Sequence, residues 1–293
     1  VIPHLFLFFS AWLLQAGIPA PEASKPLPSL EPFLQGIRDH LHSDRILLSH
    51  YTYLERSTVR YLEGNGKVQK TEERVFEVYP SLEEHLTYRR LISKNGKPLS
   101  AEETAKQNQA NNKKIEERQR KLEREGADEK RRREAKEAEE KRKEKEVLDE
   151  AFRLYAITMT GREQIEGQPA IALAFQPRAG YRTKTREGKV FSKMRGKAWF
   201  SESDQMLIRI DLELLDDYSI GLGLVAKLNR GTRMVFQRRR VNNEIWLPSE
   251  SHFKGTGRIL LFKGLNIDAE TAYSDYKKFS VETSVTYDTP KKP

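Results

Sequence analysis

The stretch Met206-Leu207-Ile208-Arg209-Ile210-Asp211-Leu212-Glu213-Leu214 decides the fold. Every second residue is apolar (Met206, Ile208, Ile210, Leu212, Leu214), and Arg209, Asp211 and Glu213 stand between them. Successive strand side chains point to opposite faces, so this period predicts a strand with one buried and one wetted face. A wetted face is what antiparallel sheets tolerate and parallel ones do not.

Working outward, the same period recurs between turn signals. Upstream it marks 155–160, 170–176 and 197–200, and downstream 232–239, 244–253, 258–265 and 273–285. Residues 190–195 read as a short helical turn, and the apolar, Gly-containing 220–228 as a lid or loop. Nearer the N-terminus, Tyr51, Tyr53, Glu55, Ser57, Val59 and Tyr61 alternate with a second set, and Gly64-Asn65-Gly66 turns the chain into Val68–Tyr79. A third run, 85–92, ends at Asn95-Gly96, completing a meander. The total is about eleven strands, so the class is mostly β, an α+β chain built on one antiparallel sheet.

Two helical patterns interrupt the strands. Leu30, Phe33, Leu34, Ile37 and Leu41 recur at helical spacing after Ser29, with Pro32 in the tolerant first turn. This amphipathic helix has one stripe to lay on a sheet. The second pattern opens with the capping-box pair Ser100 and Glu103 and continues through a tract with few bulky apolar residues. Between 101 and 150 there are 16 basic and 16 acidic residues. Pairs such as Glu102/Lys106, Glu116/Arg120, Glu117/Lys121, Glu129/Arg133 and Glu137/Lys141 support an exposed helix. Ile115 and Leu122 stand one heptad apart, and no heptad repeat follows, which argues against a regular coiled coil. Gly126 either bends the tract or turns it into a hairpin.

Residues 2–14 are an almost unbroken apolar run followed by small residues at Ala16, Gly17, Ala20 and Ala23, although the usual basic n-region is absent. The run is shorter than the roughly 20 residues a spanning helix needs and reads as a signal peptide over 1–23. The expected organisation is therefore a single β domain from 24–100 and 151–293, with the charged helical insertion 101–150 between its halves. Without that peptide and insertion, about 220 residues remain, enough for one well-buried domain.

The chain has no cysteine, which excludes disulfides and thiolate metal sites. An exported chain without disulfides fits a bacterial periplasm. The formal net charge is +9 and the insertion is neutral, so the basic excess lies in the body. That balance favours anionic headgroups or a membrane surface over nucleic acid. Of the six histidines, His40 and His42 are the one close pair, and i,i+2 spacing on a helix splits them between faces, so no metal site is expected. His85 beside Glu83 and Glu84 lacks a nucleophile. Gly221-Leu222-Gly223 lacks the third glycine of a dinucleotide loop. No catalytic residue and no cofactor are expected. Arg238-Arg239-Arg240 and Lys277-Lys278 read as a solvated edge or a headgroup patch.

The segment Gly196-Lys197-Ala198-Trp199-Phe200-Ser201-Glu202-Ser203-Asp204-Gln205-Met206-Leu207-Ile208-Arg209-Ile210 resembles the Trp-containing hairpin of the LolA/LolB-like periplasmic lipoprotein carriers, which sort lipoproteins to the outer membrane. Tyr88-Arg89-Arg90-Leu91-Ile92 with Asn95-Gly96-Lys97-Pro98-Leu99-Ser100 is similar to a segment of exported relatives. The position of the family's usual Asp holds Ser201 or Glu202, and the charged insertion is foreign to the carrier fold. The resemblance implies a curved antiparallel sheet, an incomplete β-barrel covered by helices around an apolar cavity. It also implies a non-catalytic carrier of an acyl lipid or lipoprotein, with a pocket lined by Trp199, Met206, Ile208, Ile210, Leu212, Phe236, Ile245, Ile259 and Leu261. The alternative is an envelope adaptor that meets a protein partner through 101–150.

Overall fold

A computed structural model describes residues 25–40, 48–81, 86–220, 226–259 and 263–279. The proposed signal peptide, Leu41, His42, His85 and Leu261 lie outside these residues. The helices are α1 (Leu30–His40), α2 (Ala101–Glu123), α3 (Ala127–Leu154) and α4 (Arg186–Phe191). The strands are β1 (Tyr51–Leu62), β2 (Val68–Tyr79), β3 (Tyr88–Lys94), β4 (Lys97–Pro98), β5 (Tyr155–Ile165), β6 (Gln168–Pro177) and β7 (Met194–Ser201). They continue with β8 (Leu207–Leu214), β9 (Tyr218–Ile220), β10 (Ala226–Leu228), β11 (Arg233–Val241), β12 (Ile245–Ile259) and β13 (Lys263–Lys278).

All thirteen strands join one open sheet, whose main path runs β4-β3-β2-β1-β13-β12-β11-β8-β7-β6-β5. Every pairing is antiparallel. A twisted sheet of this many strands curls rather than staying flat. The chain leaves the sheet at one edge through β4 and returns at the other through β5, so α2 and α3 connect its two free edges. No described helix is long and apolar enough to cross a membrane.

The strand count exceeds the expected eleven because the short β4 is added, as are β9 and β10 at the two ends of the segment 220–228 read as a lid or loop; β10 pairs with both β9 and β12. The run 258–265 is not a strand of its own: β12 continues to Ile259 and β13 starts at Lys263. Gly255 and Gly257 look like breaks in the sequence, yet both lie within β12. A Cβ at Gly257 would sit 2.0 Å from the Lys227 carbonyl oxygen of β10, and one at Gly255 2.7 Å from Thr232. Gly257 allows close backbone approach and Gly255 makes room for the Thr232 side chain; neither turns the chain. The helical turn expected at 190–195 forms earlier, as α4.

Helix α1 packs as its stripe predicts. Phe33 and Ile37 are buried with Ile171, Leu173, Ala198 and Phe200, and Leu30 and Leu34 flank them. Phe152 at the end of α3 joins this cluster, with the Arg38 guanidinium 4.4 Å from its ring centre. Helix α2 begins with the full capping box at Ser100 and Glu103. Its contact with the sheet is polar. Gln107 donates to and accepts from the Leu91 backbone (3.2 and 3.0 Å), and Tyr88 donates to Asn108 at 2.7 Å. The Gln107 amide thereby closes part of the free edge of β3, a place where exposed sheets recruit foreign strands.

The helix breaks at 124–126, and Gly126 is the N-cap of α3 with an ordinary negative φ. Across that break Arg133 holds Glu125 in a bidentate pair, both bonds 2.9 Å. Of the five pairs read from the sequence, Glu116/Arg120 closes at 3.2 Å. Arg133–Glu137 and Lys143–Glu139 close at 3.0 and 3.1 Å. At its far end Glu150 is buried, accepting from the Thr185 backbone N–H (2.8 Å), the Thr185 hydroxyl and the Lys184 N–H. Burial alone would raise this carboxyl, and those three donors outweigh it, holding it below the usual range.

Candidate functional site

Strand register places side chains in rows, and the two faces of the central strands differ in kind. One row runs Leu212–Met234–Phe253–Ala269–Val59 across β8, β11, β12, β13 and β1. The next runs Ile210–Phe236–Ser251–Thr271–Ser57. Ile210 also touches the cluster under α1, so both rows lie on the α1 side of the sheet. Their members are half-buried, and Met234 is 37% exposed. The rows form a mainly apolar floor, broken by the hydroxyls of Ser251, Thr271 and Ser57 in the second row.

On the opposite face the rows read Glu213–Arg233–Lys254–Asp268–Arg60 and Asp211–Val235–His252–Glu270–Thr58. Arg60 bonds Asp268 and Glu270 at 3.3 and 3.0 Å, and His252 Nε2 lies 2.9 Å from Asp268. Burial would raise the Asp268 carboxyl; the His252 ring, Lys254 and Arg60 outweigh it and hold it below its ordinary value. The ligand atoms of His252, Asp268 and Glu270 come within 4.8 Å of one another, a spacing a metal ion could use. Arg60 already supplies a cation to both carboxylates, so the group is complete as an ion-pair network. No sequence spacing announces it, since its members face one another across strands.

The floor ends in aromatic and cationic groups. The Arg238 guanidinium stands 5.4 Å from the Phe236 ring centre, and Arg239 lies 6.0 Å from that of Tyr276. Tyr53 packs against Tyr276 and Tyr273, with centroids 5.2 and 6.0 Å apart. Burial pushes the Tyr53 phenol up to about 12, so it stays neutral at physiological pH. Arg89 covers Phe76 at 4.4 Å and pairs with Glu55.

The nine residues nominated for a pocket do not share one wall. Ile210, Leu212 and Phe236 are neighbours on the apolar floor. Trp199, Met206 and Ile208 belong to a separate cluster with Ala170, Ala172 and Trp246. The cause is a bulge: Trp199 pairs with Arg209 while Phe200 pairs with Leu207, leaving Ile208 extra. A bulged residue shifts the parity beyond it, so Ile208 and Ile210 face different clusters despite their even spacing. In that second cluster Trp199 donates to Glu163 (2.8 Å) and Trp246 to Asp204 (3.1 Å). Ile245 sits where β12 leaves its hairpin with β11. Ile259 ends β12, its side chain outside the described set, and Leu261 is likewise outside. Met234, Phe253 and Val59 were not singled out, although each sits in a predicted strand, and Ala269 falls between the runs 258–265 and 273–285. Ser201 is buried, and Glu202 pairs with Arg162 at 2.7 Å.

The described residues thus form an open antiparallel sheet whose central strands have one charged face and one mainly apolar face, with α1 covering the apolar side at the β5–β8 end. No family model and no curated protein matches it. Among solved structures it is similar to a putative outer membrane lipoprotein-sorting protein domain from Vibrio parahaemolyticus, with a TM-score of 0.30 and 9% identity over 87% of this chain and 93% of that one. It is also similar to a LolA superfamily protein from Nitrosomonas europaea (TM-score 0.31, 9% identity, 87% and 96% covered). A DUF1329 family protein from Desulfovibrio piger gives a TM-score of 0.28 at 14% identity, with 87% and 96% covered.

Proposed function

We propose that this protein is an exported, periplasmic, non-catalytic carrier that binds an acyl chain, of a lipid or a lipoprotein, on the apolar floor of β8, β11, β12, β13 and β1. The observation that carries the reading is the half-exposed row Leu212–Met234–Phe253–Ala269–Val59, backed by a charged opposite face. A soluble domain gains about 25 cal/mol for each Å² of such surface it removes from water, and an acyl chain laid across five strands removes it. Arg238 and Arg239 beside the floor would meet an anionic headgroup. In this reading residues 1–23 are the signal peptide, and 101–150 are an insertion into the carrier body.

The test is native mass spectrometry with lipid extraction on residues 24–293 purified from bacteria. An acyl lipid should co-purify, and Met234→Asp should reduce its occupancy about tenfold while leaving the fold intact, because Met234 already faces solvent. A folded, empty wild-type protein that takes up no added phospholipid would end the carrier reading.

A second reading has its own support, since residues 134–146 of α3 are exposed throughout. A helix polar on every side and stabilised by its own ion pairs serves as a spacer or as a contact for a protein partner. An envelope adaptor of this kind would keep its partner in Met234→Asp and lose it when Arg131, Arg132 and Lys136 are replaced together.

A further inference from the structure

A cleft of about 340 Å³ lies between the outer edge of β3 and α2, lined by Thr87, Tyr88, Arg89, Gln107, Ala110, Asn111 and Lys114. It lies beyond the end of the apolar floor and shares one residue, Arg89, with the groups that border it. Its volume is at the lower end of the range for small-molecule sites. Three features of its wall point the same way.

The first is Asn111. Its side chain is 94% buried, at 6% relative exposure, and its Nδ2 has no hydrogen-bond partner among the described residues. A buried donor left unpaired costs about 1–3 kcal/mol, so proteins rarely keep one without a use. The neighbouring amide shows the contrast. Gln107, one helical turn earlier, satisfies both ends of its side chain on the Leu91 backbone. The second feature is charge: Lys114 from α2 and Arg89 from β3, the latter also paired with Glu55, line the cleft, and no Asp or Glu does. The third is chemistry, because an unpaired N–H beside ammonium and guanidinium groups is complementary to oxygen acceptors and to nothing else.

We propose that this cleft binds a small organic oxyanion, a phosphate or carboxylate ester-sized molecule, with Asn111 Nδ2 donating to one oxygen and Lys114 and Arg89 supplying positive charge. The site is independent of acyl binding and would stand if the carrier reading fell. A free metabolite and the headgroup of a lipid offer the same chemistry, and the experiment separates them.

The experiment is calorimetry and thermal unfolding of the full chain with glycerol 3-phosphate, inorganic phosphate and neutral glycerol, followed by vesicles of phosphatidylglycerol. Glycerol 3-phosphate should bind in a salt-sensitive manner and glycerol should not. Asn111→Leu should weaken the anion roughly tenfold or more, the loss expected for a charge-assisted hydrogen bond. The same variant should melt at or above the wild-type temperature without ligand, because it removes an unpaired buried donor. Lys114→Gln should weaken binding severalfold and flatten its salt dependence. Binding to vesicles alone assigns the anion to a headgroup, and binding to free glycerol 3-phosphate assigns it to a solute. Absence of both at millimolar concentration, or equal anion binding by wild type and both variants, overturns the proposal. A lower melting temperature for ligand-free Asn111→Leu also overturns it, since Asn111 would then be structural, satisfied by water.

Discussion

The β5–β8 end of the sheet and its central strands obey the same alternation of apolar and polar residues, yet one is filled and the other is not. At the β5–β8 end Ile37, Ile171, Leu173, Ala198 and Phe200 are all buried, because α1 lies across them. Further along, on β8 itself and on the next two strands, Leu212, Phe236 and Phe253 have the same chemistry and remain partly exposed. Alternation determines which face is apolar; cover determines what that face does. A covered face stabilises the fold, and an uncovered one remains available to a ligand.

The sharpest way to break this comparison is to truncate matched side chains in the two regions. Ile37→Ala removes a side chain that is 1% exposed and leaves a cavity under α1. It should cost about 2–5 kcal/mol in urea unfolding, the range for large-to-small changes in a packed core. Phe253→Ala, in the uncovered row, should cost clearly less and reduce acyl-lipid uptake instead. Equal losses of stability at the two positions would mean that the central face is core like the rest and would remove the basis for the proposed site.

Much of this division was legible in the sequence. The N-terminal stripe, the capping box at Ser100, the meander and the antiparallel class all follow from periodicity. The parity of Ile210, Leu212 and Phe236 was also correct. The bulge at Ile208 was hidden because residues 206–208 are all apolar, so alternation looks unbroken whichever one is extra. That uninterrupted triplet is the signal that could have revealed it. Gly255 and Gly257 misled for a different reason, since a glycine needed for close approach looks the same as one needed for a turn. The docking surface of α2 escaped notice because it is made by amides, Gln107 and Asn108, where an apolar stripe was sought.

The second test concerns how the filled end is held. Glu150 is one of 16 acidic residues in its tract and the buried one, and the sequence gives it no distinction. Glu150→Ala would strand the Lys184 and Thr185 donors and should cost about 2–4 kcal/mol, the penalty for breaking a buried charged hydrogen-bond group. Glu150→Gln retains an acceptor and should recover part of that loss. Because the folded carboxyl is held below its unfolded value, its contribution is complete above the unfolded pKa and disappears as pH falls through the folded one. The two rows of the floor hold no carboxylate, so acidification has nothing to act on within them.

The smallest effect is expected on the charged face behind that floor. Asp268 is also held below its ordinary range, so the direction is the same: stability is present above the unfolded aspartate pKa and lost on acidification through the folded value. Its partners Arg60, His252 and Lys254 are largely solvated, so the network is screened and its contribution should be smaller than that of Glu150 and should shrink in salt. Urea midpoints from pH 7 to pH 3, at low and high salt, separate the two carboxylates. Asp268→Asn should remove the salt-sensitive part of the acid loss and Glu150→Gln the salt-insensitive part. If Asp268→Asn instead abolishes acyl-lipid binding, the charged face contributes to the ligand site, and the division between a binding face and a solvated one would have to be redrawn.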